Sequence, residues 1–162
     1  MSAESVTAVC AVVIAVASLV VTVYQTHAMR QHNRHSVRPM IQLRHSWYEG
    51  RTAGIRLVNS GLGPAVVVDS TLTVDGTVIG AWNKSNADRI RAHLSVRPHA
   101  VTFDHGQVLA TDFDQYLLSV ADFNRSEHAE IEDLITRRLT LTIRYESLYG
   151  GEHYTAALRP VP

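Results

Sequence analysis

The chain has 162 residues, 46% of them hydrophobic and 19% charged, with 15 basic and 15 acidic side chains. That length accommodates one ordinary domain with an attached segment, and formal neutrality excludes a strongly basic nucleic-acid binder. The sole cysteine, Cys10, excludes an intramolecular disulfide and a four-cysteine zinc site.

These averages conceal a division. Ser5 to Met29 contains no Asp, Glu, Lys or Arg. Within it, Ser5 to Tyr24 supplies the roughly 20 mainly apolar residues that a bilayer span needs. Val and Thr weaken a helix in water, but in lipid the backbone must satisfy itself, which forces helix. A cleaved signal peptide would need positive charge before the apolar run and a small-x-small site after it. Only Glu4 is charged before the run, and the exit reads QTHAMRQHNR, so a retained anchor is expected.

Arg30, Arg34 and Arg38 follow this span, and no Lys or Arg precedes it. The positive-inside rule then predicts a single-pass protein of the cell membrane, with its N-terminus outside and its C-terminal domain in the cytoplasm. Arg30 and Arg34 share a helical face beyond the span, and Pro39 should end the helix by disfavouring helical geometry at Arg38. The arginines also suit anionic headgroups, at about 1 kcal/mol each. Inside the span, Ala8, Ala11, Ala15, Ser18 and Thr22 recur at intervals of three and four, one seam along a helix. Small residues let helices approach closely in lipid, so the seam points to self-association or to a membrane-protein partner.

From Met40 the pattern changes to short β segments separated by turns. The expected domains are residues 1–38, anchor and basic juxtamembrane helix, and residues 39–162, a β domain. Met40 to Tyr48 and Ile55 to Val58 are the first strands, followed by the loop Asn59 to Pro64. Ala65 to Val74 is the third, where Val66, Val68, Ser70, Leu72 and Val74 share one face by period two. Asp75-Gly76 signals a hairpin into Thr77 to Trp82. Asn83 to Leu94 reads as a short helix capped by Asn86. Strands follow near Ala100 to Phe103 and Tyr116 to Val120. Asn124 to Arg137 reads as a second helix, with Asn124 and Glu127 as a capping box and Ile131, Leu134 and Ile135 facing inward. Arg138 to Glu146 alternates plainly, and Gly150-Gly151 turns the chain into His153 to Leu158. Seven or eight strands and two short helices predict a mainly β, antiparallel sandwich.

Three stretches carry a resemblance: His32 to Pro39 directly after a span, Asn59-Ser60-Gly61-Leu62-Gly63-Pro64-Ala65 after the second strand, and Tyr145-Glu146-Ser147-Leu148-Tyr149-Gly150 in the last hairpin. In order, and with Asp75-Gly76 between them, they resemble a family of small bacterial single-pass membrane proteins of uncharacterised function. The resemblance implies an anchor plus an immunoglobulin-like sandwich. It carries no catalytic residues.

Motifs for chemistry are weak. Gly61-x-Gly63 lacks the helix start that a phosphate cradle needs, since Pro64 and a β-branched run follow; its glycines are expected to supply positive φ. His93, His99 and His105 match no compact zinc spacing. Ser147, Glu146 and His153 lack a nucleophile-elbow pattern. Trp47 and Tyr48 suit core packing or headgroup contact. Leu148 and Tyr149, at the last turn, are the candidate interaction tip. The expected function is therefore a membrane-anchored protein-interaction module or accessory subunit, without catalysis, cofactor or nucleic-acid partner. The alternative is a membrane-tethered metal-binding or hydrolytic domain built on the His93 to His105 region.

Overall fold

The computed structural model describes residues 3–161, apart from the side chains of residues 3–5 and 32–35. Two compact units divide it, one ending at Ser36 and one beginning at Val37.

The first unit is a single helix, α1, Ala3–Ser36, of 34 residues. Its stretch Val6–Gln31 is long and apolar enough to cross a membrane. The hydroxyls of Ser18, Thr22 and Thr26 each donate to the carbonyl four residues earlier, at 2.8 Å. Such back-bonding satisfies them inside an apolar medium without an outside partner. The helix stops before Val37, in keeping with the constraint that Pro39 puts on the residue before it.

The second unit is mainly β. In one sheet the strands β1 (Ile41–Ser46), β2 (Ala53–Asn59), β7 (Asp114–Val120) and β5 (His99–Ala100) lie side by side in that order. In the other the order is β4 (Thr77–Gly80), β3 (Ala65–Val74), β8 (Leu139–Ser147) and β9 (Tyr154–Leu158). A short β6 (Val108–Leu109) also pairs with β3. Every pairing is antiparallel. Both sheets contribute to one core, with Ile55, Leu57 and Leu118 from the first and Leu72, Leu141 and Ile143 from the second. The helices are α2 (Lys84–Arg91) and α3 (Ala129–Asp133), the latter running into a π-helical turn, Leu134–Arg138.

Period-two patterning holds where the strands are regular. In β8, Leu139, Leu141, Ile143 and Tyr145 are buried while Arg144 is exposed. In β2, Ile55 and Leu57 are buried and Arg56 is exposed. In β3 it fails. The register with β8 shifts between Val67 and Asp69, which leaves Val68 as a bulge. One extra residue reverses the side-chain phase. Ala65 and Val67 are therefore buried before the bulge and Leu72 after it, instead of one face from Val66 to Val74. At the β3–β4 turn, Asp75 and Gly76 have φ of 50° and 77°, the pair of positive angles that a tight hairpin needs.

Both helix starts differ from expectation. Asn83, not Asn86, caps α2: its side chain accepts the Asn86 N–H at 3.0 Å. Asn124 does not open a helix. Its carboxamide oxygen accepts the Ser126 N–H at 3.0 Å in a local turn, and α3 starts only at Ala129. Local side-chain bonds of this kind compete with helix initiation. The inward stripe is nevertheless present, since Ile131, Leu134 and Ile135 are all buried. β6 carries no sequence signal because two residues define no period. Trp82 lies beyond the end of β4, fully buried, and its indole N–H donates to Val101 O at 2.8 Å.

Leu141 faces the shared core from a central strand. Leu141→Asp would bury an unpaired charge there, and a loss of at least about 4 kcal/mol is expected. Chemical denaturation of the purified chain should show an early, weakly cooperative transition.

Candidate functional site

At one end of the β unit, three segments meet around a buried side chain, Asn59. Its oxygen accepts the N–H groups of Met40 and Gly61, each at 3.1 Å. Its nitrogen donates to Gly63 O and Ala110 O, each at 2.9 Å. One carboxamide thus joins the entering chain, the loop after β2 and the residue after β6. Backbone bonds reinforce it, from Ser60 N to Met40 O at 2.9 Å and from Leu62 N to Arg38 O at 3.1 Å.

Gly61 and Gly63 are needed here for space. Neither has positive φ, which corrects the expectation from sequence. A Cβ on Gly61 would collide with the backbone of residues 38–40, and one on Gly63 would overlap Val37 O. The space beside the loop, where a phosphate would have to approach Gly61 and Gly63, is filled by the chain's own entering segment.

The β8–β9 turn stands at the same end, because Ser147 pairs with Ala65 at the start of β3. Ser147 is buried, and its hydroxyl donates to the Glu152 carboxylate at 2.8 Å. Its own oxygen accepts the Tyr149 N–H at 3.1 Å, and Glu146 accepts the Gly151 N–H at 3.1 Å. Gly150 and Gly151, with φ of 67° and 81°, complete the turn. These bonds leave Leu148 63% and Tyr149 51% exposed, while Leu62, on the loop before β3, is 76% exposed. The predicted tip is therefore an apolar projection on a hydrogen-bonded base. Glu152 as the partner of Ser147 was not foreseen; its place just past the Gly-Gly turn is the only sequence cue.

Beneath the tip the tyrosines separate. Tyr145 and Tyr154 pack with centroids 5.5 Å apart and planes tilted by 35°. The Tyr145 hydroxyl accepts the Ile41 N–H at 3.2 Å. Arg38 lies over Tyr154, its guanidinium carbon 4.8 Å from the ring centre, a cation–π contact. Arg38 is thus part of the β unit. Arg30 is exposed on α1, and the Arg34 side chain lies outside the described residues. Ala8, Ala11, Ala15, Ser18 and Thr22 are exposed along α1. Trp47 packs against Phe123 at 5.2 Å and Tyr48 is exposed.

The candidate chemical groups are dispersed. His93 Nδ1, just past the end of α2, contacts Arg89 O at 2.7 Å, His99 sits in β5, and His105 Nδ1 contacts Val68 O at the β3 bulge. Among the described residues, no three His, Cys, Asp or Glu groups are arranged to hold a metal ion. His153 lies 3.8 Å from Glu146, whereas Ser147 is committed to Glu152.

Several groups outside the helix α1 have displaced protonation equilibria. The Arg144 guanidinium holds the Asp69 carboxyl below the usual carboxylate range, and Arg138 does the same for Asp75. The Ser95 N–H and hydroxyl lower Glu130. Burial lowers the His45 imidazole.

A family model described as a domain of unknown function (DUF8453) matches residues 5–159. A search of curated proteins gives no match.

Removing the Asn59 carboxamide strands buried backbone groups on three segments. Asn59→Ala is expected to cost about 3 kcal/mol, and Asn59→Asp at least as much, because a carboxylate would face Gly63 O and Ala110 O. Denaturant melts of the three proteins check this. His45, Asp69, Asp75 and Glu130 bind protons more weakly folded than unfolded, so their contributions are held at high pH and lost on acidification. The melting temperature should be level above about pH 7 and decline first below about 6.5, where the His45 of the unfolded chain takes up a proton. It should fall again through the carboxylate range. His45→Gln should remove the first decline and keep the second.

Proposed function

We propose that this chain, which belongs to the DUF8453 family, is a membrane-anchored protein-interaction module or accessory subunit of a membrane complex. In this reading α1 is the single retained span, and the β domain is an immunoglobulin-like sandwich held on the cytoplasmic side. The one-sided arginines Arg30, Arg34 and Arg38 support that orientation. No reaction is assigned to the domain.

The observation that carries this reading is the tip. Leu148 and Tyr149 are exposed on a turn whose backbone is tied by Ser147, Glu146 and Glu152. Exposed apolar side chains on a flexible loop would lose much of their contact energy to ordering on binding; a turn already held by hydrogen bonds avoids that cost. Tyr is also enriched among residues that dominate protein interfaces. The seam Ala8, Ala11, Ala15, Ser18 and Thr22 offers the membrane-side counterpart. Because Ser18 and Thr22 bond to their own helix, attraction along the seam comes from close packing.

Crosslinking of the full chain in native membranes tests both surfaces. One stoichiometric protein partner is expected. Leu148→Ser with Tyr149→Ser should reduce its capture at least about tenfold, in line with losing two interface anchors, and leave the melting temperature unchanged. Ala11→Ile with Ala15→Ile should weaken association more than Val12→Ile with Val16→Ile, on another face. Undiminished capture by the tip variant would overturn the tip's role. A compartment-specific reporter at the C-terminus checks the orientation.

A further inference from the structure

At the far end of the β unit from the tip, α2, the π-helical turn and the β3–β4 hairpin line an open cavity of about 260 Å³. Its walls are apolar: Val74, Ile79, Ile90, Leu94 and Leu134. Its mouth is not, being formed by Arg89, His93, Glu130 and Arg138. Two of the charged groups there are already engaged. Arg138 pairs with Asp75, and Glu130 accepts the Ser95 N–H at 2.9 Å and the Ser95 hydroxyl at 2.7 Å. The exposed Arg89 side chain makes no hydrogen bond or ion pair among the described residues. The π turn shapes the wall. Its closing bond runs from Leu139 N–H to Leu134 O, five residues back, and its first and last residues, Leu134 and Arg138, both line the cavity. Turns of this type are rare and recur at functional sites.

We propose that this cavity binds a small amphiphile with one anionic head and a short alkyl tail. An apolar interior with a few polar groups at the mouth is the usual form of a small-molecule site. The apolar side chains Val74, Ile79, Ile90, Leu94 and Leu134 dominate the lining, and an alkyl chain against them gains by leaving water. At about 260 Å³ the cavity is at the small end of ligand sites, which suits a short alkyl chain such as that of octanoate. At the mouth Arg138 is satisfied by Asp75 and Glu130 by Ser95, so Arg89 is the charged group left to receive a ligand head, and an anionic head is the one that pairs with it. The unengaged Arg89 is its partner. This site is independent of the tip and of its protein partner.

Photolabelling of the full chain in membranes tests the proposal, using octanoate with a terminal diazirine and mass-spectrometric mapping of the labelled residues. Label is expected on the wall residues from Ile90 to Leu94 and at Leu134, suppressed by excess octanoate and not by the same concentration of octanol. In Arg89→Gln, about tenfold more octanoate should be needed for suppression, as for losing one charge-assisted contact. Leu134→Trp, which fills the cavity, should abolish label there. The competition in the unaltered chain and the exposed Arg89 substitution do not depend on that variant folding. Label confined to α1 or spread over the surface, or equal suppression by octanol, would overturn the proposal.

Discussion

The buried Asn59 carboxamide is the constraint on which one whole end of the β unit depends. Loops crossing a buried region bring N–H and C=O groups that need partners. Asn59 supplies an acceptor and a donor from one rigid group, and so satisfies Met40, Gly61, Gly63 and Ala110 together. This works only if the entering segment and the loop after β2 touch backbone to backbone. Gly61 and Gly63 permit that contact by lacking a Cβ. From this junction β3 departs in register with β8, and the last turn is set beside it.

The two ends of the β unit are built by different means. Around the tip, polar groups are buried and mutually bonded, and the apolar side chains project outward. Around the cavity the reverse holds, with apolar side chains lining a hollow and charged groups at its mouth. The ten-residue β3 links them, ends roughly 30 Å apart by strand rise. Its bulge at Val68 lets the same strand present Ala65 and Val67 inward at one end and Leu72 inward at the other. His105 contacts the carbonyl of the bulged residue, so a histidine that looked like a ligand candidate serves the backbone.

Surface ion pairs are numerous but secondary. Asp69 with Arg144, Asp114 with Arg56 and Asp75 with Arg138 all join neighbouring strands or turns, with both partners well exposed. Exposed pairs contribute little to stability. Placed across strands, they favour one register over its neighbours.

What the sequence alone determined is whatever rests on local period and composition. The uncharged run from Ser5 to Met29 dictates a helix long and apolar enough to cross a membrane, the alternation from Leu139 to Tyr145 dictates an inward face, and Asp75-Gly76 dictates a hairpin. Burial and tight turns act residue by residue, so they are legible without a partner segment. Tertiary structure decided what depends on distant neighbours. It set the phase reversal in β3, since a bulge exists only relative to β8. It made Asn83 rather than Asn86 the cap of α2, and it moved the start of α3 to Ala129, because Asn124 closed a local turn instead. It assigned Gly61 and Gly63 to close approach, paired Ser147 with Glu152, drew Arg38 onto Tyr154, and formed the cavity between α2 and the π turn. Most of these are contacts between segments remote in sequence and the rest are choices among local bonds, and one-dimensional spacing does not encode which groups will lie alongside which.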